Sequence, residues 1–126
     1  MELMLKIFLS LVTLICLAGG LNLMIKGAGS FLPKTFQPQP VVDNLFRFLS
    51  GIYFGLGFLM SWVWIHFSEQ HDLIYFIGLV VVFSGLGRLY SRIRVGAAGR
   101  YFDIMMVVEI VLGLCIILLQ FFRNKV

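Results

Sequence analysis

Four long apolar runs, separated by short polar connections, dominate the chain. They cover residues 3–25, 45–67, 73–91 and 101–122. Each is close to the roughly 20 residues that a helix needs to cross the hydrocarbon core of a bilayer. Hydrocarbon offers no partner to a bare peptide group, so a run that crosses it must satisfy its backbone as a helix or within a closed barrel. Barrel strands alternate apolar and polar residues over about ten positions. The runs LIYFIGLVVVF and IVLGLCIILLQFF do not alternate. The pattern therefore predicts an all-α membrane protein, with four transmembrane helices in an antiparallel bundle and a single integral membrane domain over residues 1–126.

The first run is long for a secretory signal, whose apolar core spans about 7–15 residues. Glu2 stands where such a leader would be basic, and Cys16 follows the bulky Ile15, against a lipoprotein site. The run is expected to persist as the first helix. Residues 26–42 form the one long connection. Gly27, Gly29, Pro33, Pro38 and Pro40 keep it irregular, since proline fixes φ and removes a donor. Phe31, Leu32, Phe36, Val41 and Val42 are expected to hold it against the headgroups. Asp43 or Asn44 is expected to cap the second helix by accepting from its free N–H groups. The short HFSEQHD stretch makes the second and third helices a hairpin, and residues 92–100, with Gly96 and Gly99, join the third to the fourth.

Composition agrees with this reading. The chain is 60% hydrophobic and 13% charged, with a mean hydropathy of +1.00. Soluble domains carry about 25% charged residues, so a water-soluble fold is excluded. The net charge of +4 comes mainly from the connections between the runs. Basic residues in that position act in topology or on anionic headgroups, and no nucleic-acid partner is expected. Lys26, Lys34, Arg47, Arg88, Arg92, Arg94 and Arg100 lie towards the side of the two glycine-bearing connections. Lys6, Arg123 and Lys125 lie towards the other. The positive-inside rule then places the connections in the cytoplasm and both termini outside.

Antiparallel threading brings polar residues from all four runs towards one leaflet: Asn22, Arg47, Arg88, Asp103 and Glu109. Glu109 lies eight residues into the fourth run, roughly 12 Å along a helix axis. A charged residue at the centre of a spanning helix costs about 2.5–3.5 kcal/mol on insertion scales, and such residues normally face the interior and pair. Glu109 is too deep and short to reach the interface, so it needs a partner or a proton. Arg88 or Arg47 is expected to contact it, joined by Asn22 and Tyr53 in a candidate ligand pocket. Such a cluster reads either as structural glue that sets helix order or as a site for an anionic headgroup, a quinone or a proton. Arg92, Arg94 and Arg100 are expected at lipid headgroups.

Gly51 and Gly55 form a GxxxG face and Gly85 and Gly87 flank a short apolar step before Arg88; all four are expected at close helix contacts. Gly85-Leu86-Gly87 lacks the strand and third glycine of a nucleotide loop. His66, Glu69, His71 and Asp72 read as interfacial polar residues, because the histidine spacing does not converge on a metal. Cys16 and Cys115 lie at different depths, out of reach of the roughly 7 Å Cα separation that a disulfide needs. Trp62 and Trp64 fit an aromatic belt. No Ser–His–Asp set, catalytic carboxylate pair or haem ligand pair can be assembled within one leaflet.

The stretches Asn44-Leu-Phe-Arg47-Phe-Leu-Ser-Gly51-Ile-Tyr53-Phe-Gly55 and Gly85-Leu-Gly-Arg88-Leu-Tyr-Ser91, followed by Gly96 and Glu109, resemble a small bacterial membrane-protein family. It is known as domain of unknown function 4345 and stands loosely beside DoxX-like four-helix proteins. The resemblance implies a four-helix bundle in the bacterial inner membrane and points to Arg47, Gly51, Arg88 and Glu109. It carries no activity. DoxX-like relatives include parts of thiosulfate:quinone redox systems, an analogy of fold alone. The wider group often has cytoplasmic termini, opposite to the charge count above.

The function expected from these features is that of a non-catalytic module, either an accessory subunit of a larger membrane complex or a lipid-binding protein. The alternative is a quinone-linked redox or transport component that uses the Arg/Glu pocket. No cofactor is expected beyond a bound lipid or quinone. The expected partners are membrane lipids and either a larger complex or further copies of the chain.

Overall fold

The computed structural model describes residues 1–35, 37 and 39–125. Phe36 and Pro38, which the sequence assigns to the irregular first connection, lie outside the described residues, as does Val126. Every regular element among the described residues is a helix, and there is no strand among them. Among the described residues, four helices are long and apolar enough to cross a membrane: α1 (Glu2–Lys26), α2 (Pro40–Ile65), α3 (Asp72–Arg94) and α4 (Arg100–Lys125). Contacts divide the chain into two compact units, Leu9–Ile65 and Met1–Phe8 with His66–Val126.

The Leu9–Ile65 unit is an antiparallel helix pair. Its crossing depends on two glycines that leave no room for a side chain. A Cβ at Gly20 would lie 2.7 Å from the Phe54 backbone nitrogen, and one at Gly57 would lie 2.6 Å from Leu17 Cδ2. Without a hydrophobic drive between helices in lipid, such backbone approach and its dispersion contacts hold a pair together. Next to this crossing, α1 contains a π-helical turn at Ile15–Gly19. The extra residue rotates the faces that precede and follow it. One turn earlier, the Thr13 hydroxyl donates to Leu9 O at 2.7 Å.

Helix α2 starts at Pro40, earlier than the apolar run that begins at residue 45. Proline is suited to the first helical position, where its missing N–H is one of the donors that would be unpaired in any case. This corrects the expected cap. Asp43 lies inside the first turn, its N–H donating to Gln39 O at 2.9 Å, and Asn44 lies one residue deeper. Asp43 acts across the unit instead. Its carboxylate accepts from the Ala28 N–H at 3.2 Å and from Arg47 Nε at 2.8 Å. Arg47 Nη1 donates to Met24 O and Ile25 O, each at 2.9 Å. These are end carbonyls of α1 that have no partner within their own helix. Gly27 makes the turn possible, with φ at +71° and a missing side chain that would overlap Asp43 and Arg47.

In the second unit, α3 and α4 pack antiparallel along most of their length. Gly78 and Gly113 face each other at the crossing. A Cβ on Gly113 would lie 2.7 Å from Val82 N and 2.8 Å from Gly78 O. Two turns along α3, a Cβ at Gly85 would be 3.0 Å from both Ile110 N and Met106 O. Ile74, Ile77, Val81, Leu112 and Ile116 are buried. Phe48 and Phe58 on α2, and Phe76 and Phe83 on α3, are exposed, as suits helices whose solvent is lipid. Trp62 and Trp64 are exposed near the end of α2, where an aromatic belt would put them.

The four glycines expected at close helix contacts differ in their surroundings. Gly85 is at a close helix contact, and Gly51 meets only Met24 Sδ at 3.6 Å, an ordinary distance. A Cβ at Gly55 or Gly87 meets nothing within 4 Å, so neither is a packing glycine in its own unit. GxxxG spacing alone does not tell which face of a helix meets its partner. Gly113→Val should lower the thermal unfolding temperature in detergent by the equivalent of about 1–3 kcal/mol, the usual cost of overpacking. Gly87→Ala should be neutral or slightly stabilising, by up to about 1 kcal/mol. Equal losses from the two would contradict this packing. Gly27→Ala should also destabilise, through its positive φ and the blocked Asp43–Arg47 contact.

Candidate functional site

The α3–α4 pair carries a buried carboxylate. Glu109, on the inner face of α4, has a side chain only 7% exposed. Arg88 reaches it from α3, with Nε donating to Oε2 at 2.9 Å and Nη2 to Oε1 at 3.2 Å. This fork geometry satisfies both carboxylate oxygens and leaves the Nη1 donors unspent on Glu109. Gly85 lies one turn before Arg88 and lets the two backbones come close enough for the side chains to meet.

One turn after Arg88, Arg92 Nε donates to Asp103 Oδ1 at 2.8 Å. The two ion pairs stand one above the other in the same antiparallel register. They differ in surroundings: the side chains of Arg92 and Asp103 are 49% and 36% exposed. Between and beside them lies a cavity of about 270 Å³, lined by Arg88, Ser91, Arg92, Phe102, Asp103 and Met106 with the connection at Gly96 and Ala98. Gly96 and Gly99, with φ of +116° and +132°, make the turn that closes this end of the pair. Arg94, the last residue of α3, and Arg100, the first of α4, are exposed.

The residues expected to share one pocket fall in both units. Arg88 and Glu109 meet as described. Of the two arginines expected to approach Glu109, Arg47 is taken up by Asp43 and the end of α1 within the Leu9–Ile65 unit. Asn22 and Tyr53 belong to that unit too; Asn22 is exposed and Tyr53 half-buried. Arg92, expected at lipid headgroups, is paired with Asp103. Asp103 was legible as a polar residue of this leaflet, but its role as the partner of Arg92 depends on the register of the two helices. Among the described residues, no three His, Cys, Asp or Glu side chains converge as metal ligands. Among the described residues, Cys16 and Cys115 form no disulfide.

A second polar network, at the other end of the α3–α4 pair, escaped sequence reasoning. Gln120 is fully buried; its Nε2 donates to His71 O and Asn124 Oδ1, both at 3.2 Å. Arg123 Nη1 donates to Gln120 Oε1 at 3.2 Å and Nη2 to Phe67 O at 3.0 Å. Its guanidinium carbon sits 4.1 Å from the Phe67 ring centroid. The sequence signal was a lone amide in the run IVLGLCIILLQFF, one turn before Asn124. His71 Nδ1 lies 2.8 Å from Asn124 Oδ1, which ties this residue to α4.

Four helices of this length and hydropathy, with ionisable groups paired at the ends and one carboxylate buried, define a multi-pass helical membrane protein. The chain belongs to the family described as Domain of unknown function (DUF4345), whose profile matches residues 4–120. No curated protein and no solved structure matches it.

Removing one partner of a buried pair leaves an uncompensated charge, which costs about 3–5 kcal/mol in soluble proteins. Arg88→Ala, which strands the buried Glu109, and Glu109→Gln, which leaves the Arg88 charge without its counter-ion, should therefore each lower stability in detergent. The double variant should fall well short of the sum of the singles. Additive losses would show that the two side chains are not coupled.

Proposed function

We propose that this protein is a non-catalytic module of the bacterial inner membrane that holds an anionic lipid headgroup at the basic end of α3 and α4. The observation that carries this reading is the cavity at that end, with two guanidiniums, a hydroxyl and the apolar Phe102 and Met106 in its wall. Its volume of about 270 Å³ is below the roughly 300–1,000 Å³ of pockets that enclose drug-sized ligands. That size suits a headgroup. The four arginines 88, 92, 94 and 100 outnumber Asp103 and Glu109 by two charges, which favours an anion. The exposed apolar side chains of the helices, such as Phe48 and Phe58 on α2 and Phe76 and Phe83 on α3, are the surfaces through which a larger complex, or further copies of the chain, would be met as an accessory subunit meets its partners.

A second reading, a quinone-linked redox or transport component of DoxX-like kind, is favoured by the buried carboxyl of Glu109. It requires that carboxyl to exchange a proton, whereas both its oxygens are engaged by Arg88. The lipid reading uses the pair as it stands.

Native mass spectrometry of protein extracted in mild detergent discriminates these readings. An anionic phospholipid should accompany the wild type and be lost from the Arg92→Gln, Arg100→Gln double variant. A co-purified quinone, lost on Glu109→Gln, would transfer the assignment to the second reading. Bare protein, or lipid retained by the arginine variant, would overturn the headgroup site.

A further inference from the structure

The two ion pairs that border the cavity are not equivalent, and the difference points to what the cavity binds and how. We infer that the ligand is a phosphate ester that takes the place of the Asp103 carboxylate on Arg92, so that Asp103 is a built-in competitor that sets the affinity of the site. The inference rests on the headgroup reading above.

Glu109 cannot be displaced cheaply. Its side chain is 7% exposed and both its oxygens accept from Arg88, so losing that partner would strand a charge away from water. Asp103 accepts from Arg92 Nε through one of its two oxygens, Oδ1. Both side chains of that pair are substantially exposed, and exposed pairs contribute little. Asp103 also lies in the first turn of α4, where the unpaired N–H groups and the helix dipole favour a negative charge. Once released from Arg92, it keeps a favourable position. Exchange at Arg92 is therefore the cheap step, and exchange at Arg88 is the expensive one.

The donors freed by that exchange suit a phosphate. Arg92 would regain its whole planar fork, which matches two oxygens of a phosphate. Arg88 lies one turn away, roughly 5–6 Å along the helix, with its Nη1 donors not used by Glu109. Ser91 adds a hydroxyl on the same wall. A ligand carboxylate would only replace one carboxylate by another at Arg92. A phosphate ester brings further oxygens, within reach of Arg88 and Ser91. Phe102 and Met106 would meet the apolar part next to the ester.

The test uses the full-length protein in phosphatidylcholine nanodiscs, with dissociation constants measured for added short-chain phosphatidylglycerol and, separately, for soluble glycerol phosphate. Asp103→Asn should tighten phosphatidylglycerol binding about 2- to 5-fold, the range set by an exposed ion pair. Asp103→Ser, which also removes the charge, should do the same. Arg92→Gln should abolish the preference, and Asp103→Asn should have no effect in that background. Unchanged or weaker binding by both Asp103 variants, with the wild type still dependent on Arg92, would overturn the competitor and leave the headgroup site standing. Absence of any preference for phosphatidylglycerol, in wild type and variants alike, would overturn both readings. Glycerol phosphate bound as tightly as the lipid, and tightened by the same variants, would keep the exchange at Asp103 but assign the site to soluble phosphate esters.

Discussion

A peptide group in hydrocarbon has only the chain itself to bond with, and the end groups of each helix, which have no partner within it, must find one in side chains, connecting backbone or interfacial water. Much of the polar chemistry of this protein serves that constraint. At the end of α1, Arg47 supplies donors to Met24 O and Ile25 O, and Asp43 accepts from Ala28 while it holds the guanidinium in place. At the start of α2, Pro40 brings one fewer donor to be satisfied. Beyond the end of α2, Arg123 reaches from α4 to Phe67 O. Arginine recurs because its fixed fork can serve two acceptors at once and does not lose its charge on burial.

The same economy makes the Arg88–Glu109 pair unusual. It ends no helix and caps no carbonyl, yet it places a carboxylate on the inner face of α4 where an apolar residue would pack without penalty. A buried ion pair is weak ground for stability and better ground for specificity or function. The neighbouring Arg92–Asp103 pair, half-exposed, gives the cavity an exchangeable contact beside a fixed one. That contrast is the physical basis for reading this end of the α3–α4 pair as a binding site.

Close approach of the helices is the condition for all of these side-chain contacts. Gly20 and Gly57 in one unit, and Gly78, Gly85 and Gly113 in the other, leave the partner backbone in the space of a side chain. If α3 and α4 stood farther apart, Arg88 could not span to both oxygens of Glu109. Packing and electrostatics are thus coupled in this unit: the glycine crossing sets the distance, and the ion pairs set the register.

Much was legible in the residues alone. Four apolar runs without alternation determine four spanning helices, because only a helix can satisfy that much backbone in lipid. An isolated carboxylate such as Glu109 in an oily run determines that a partner must be found, and depth along the chain narrows the choice to Arg88 or Arg47. What composition and spacing leave open is which face of a helix meets another. That decision selected Arg88 for Glu109 and gave Arg47 to the end of α1. It made Gly113 and Gly20 packing residues while Gly55 and Gly87 face open space in their own units, and it buried Gln120. A π-helical turn such as Ile15–Gly19 shifts the faces again, with no signal in hydropathy. The hydrophobic pattern governs transfer into lipid, residue by residue, and is local. Register and facing come from contacts between segments distant in sequence, and only the tertiary structure decides them.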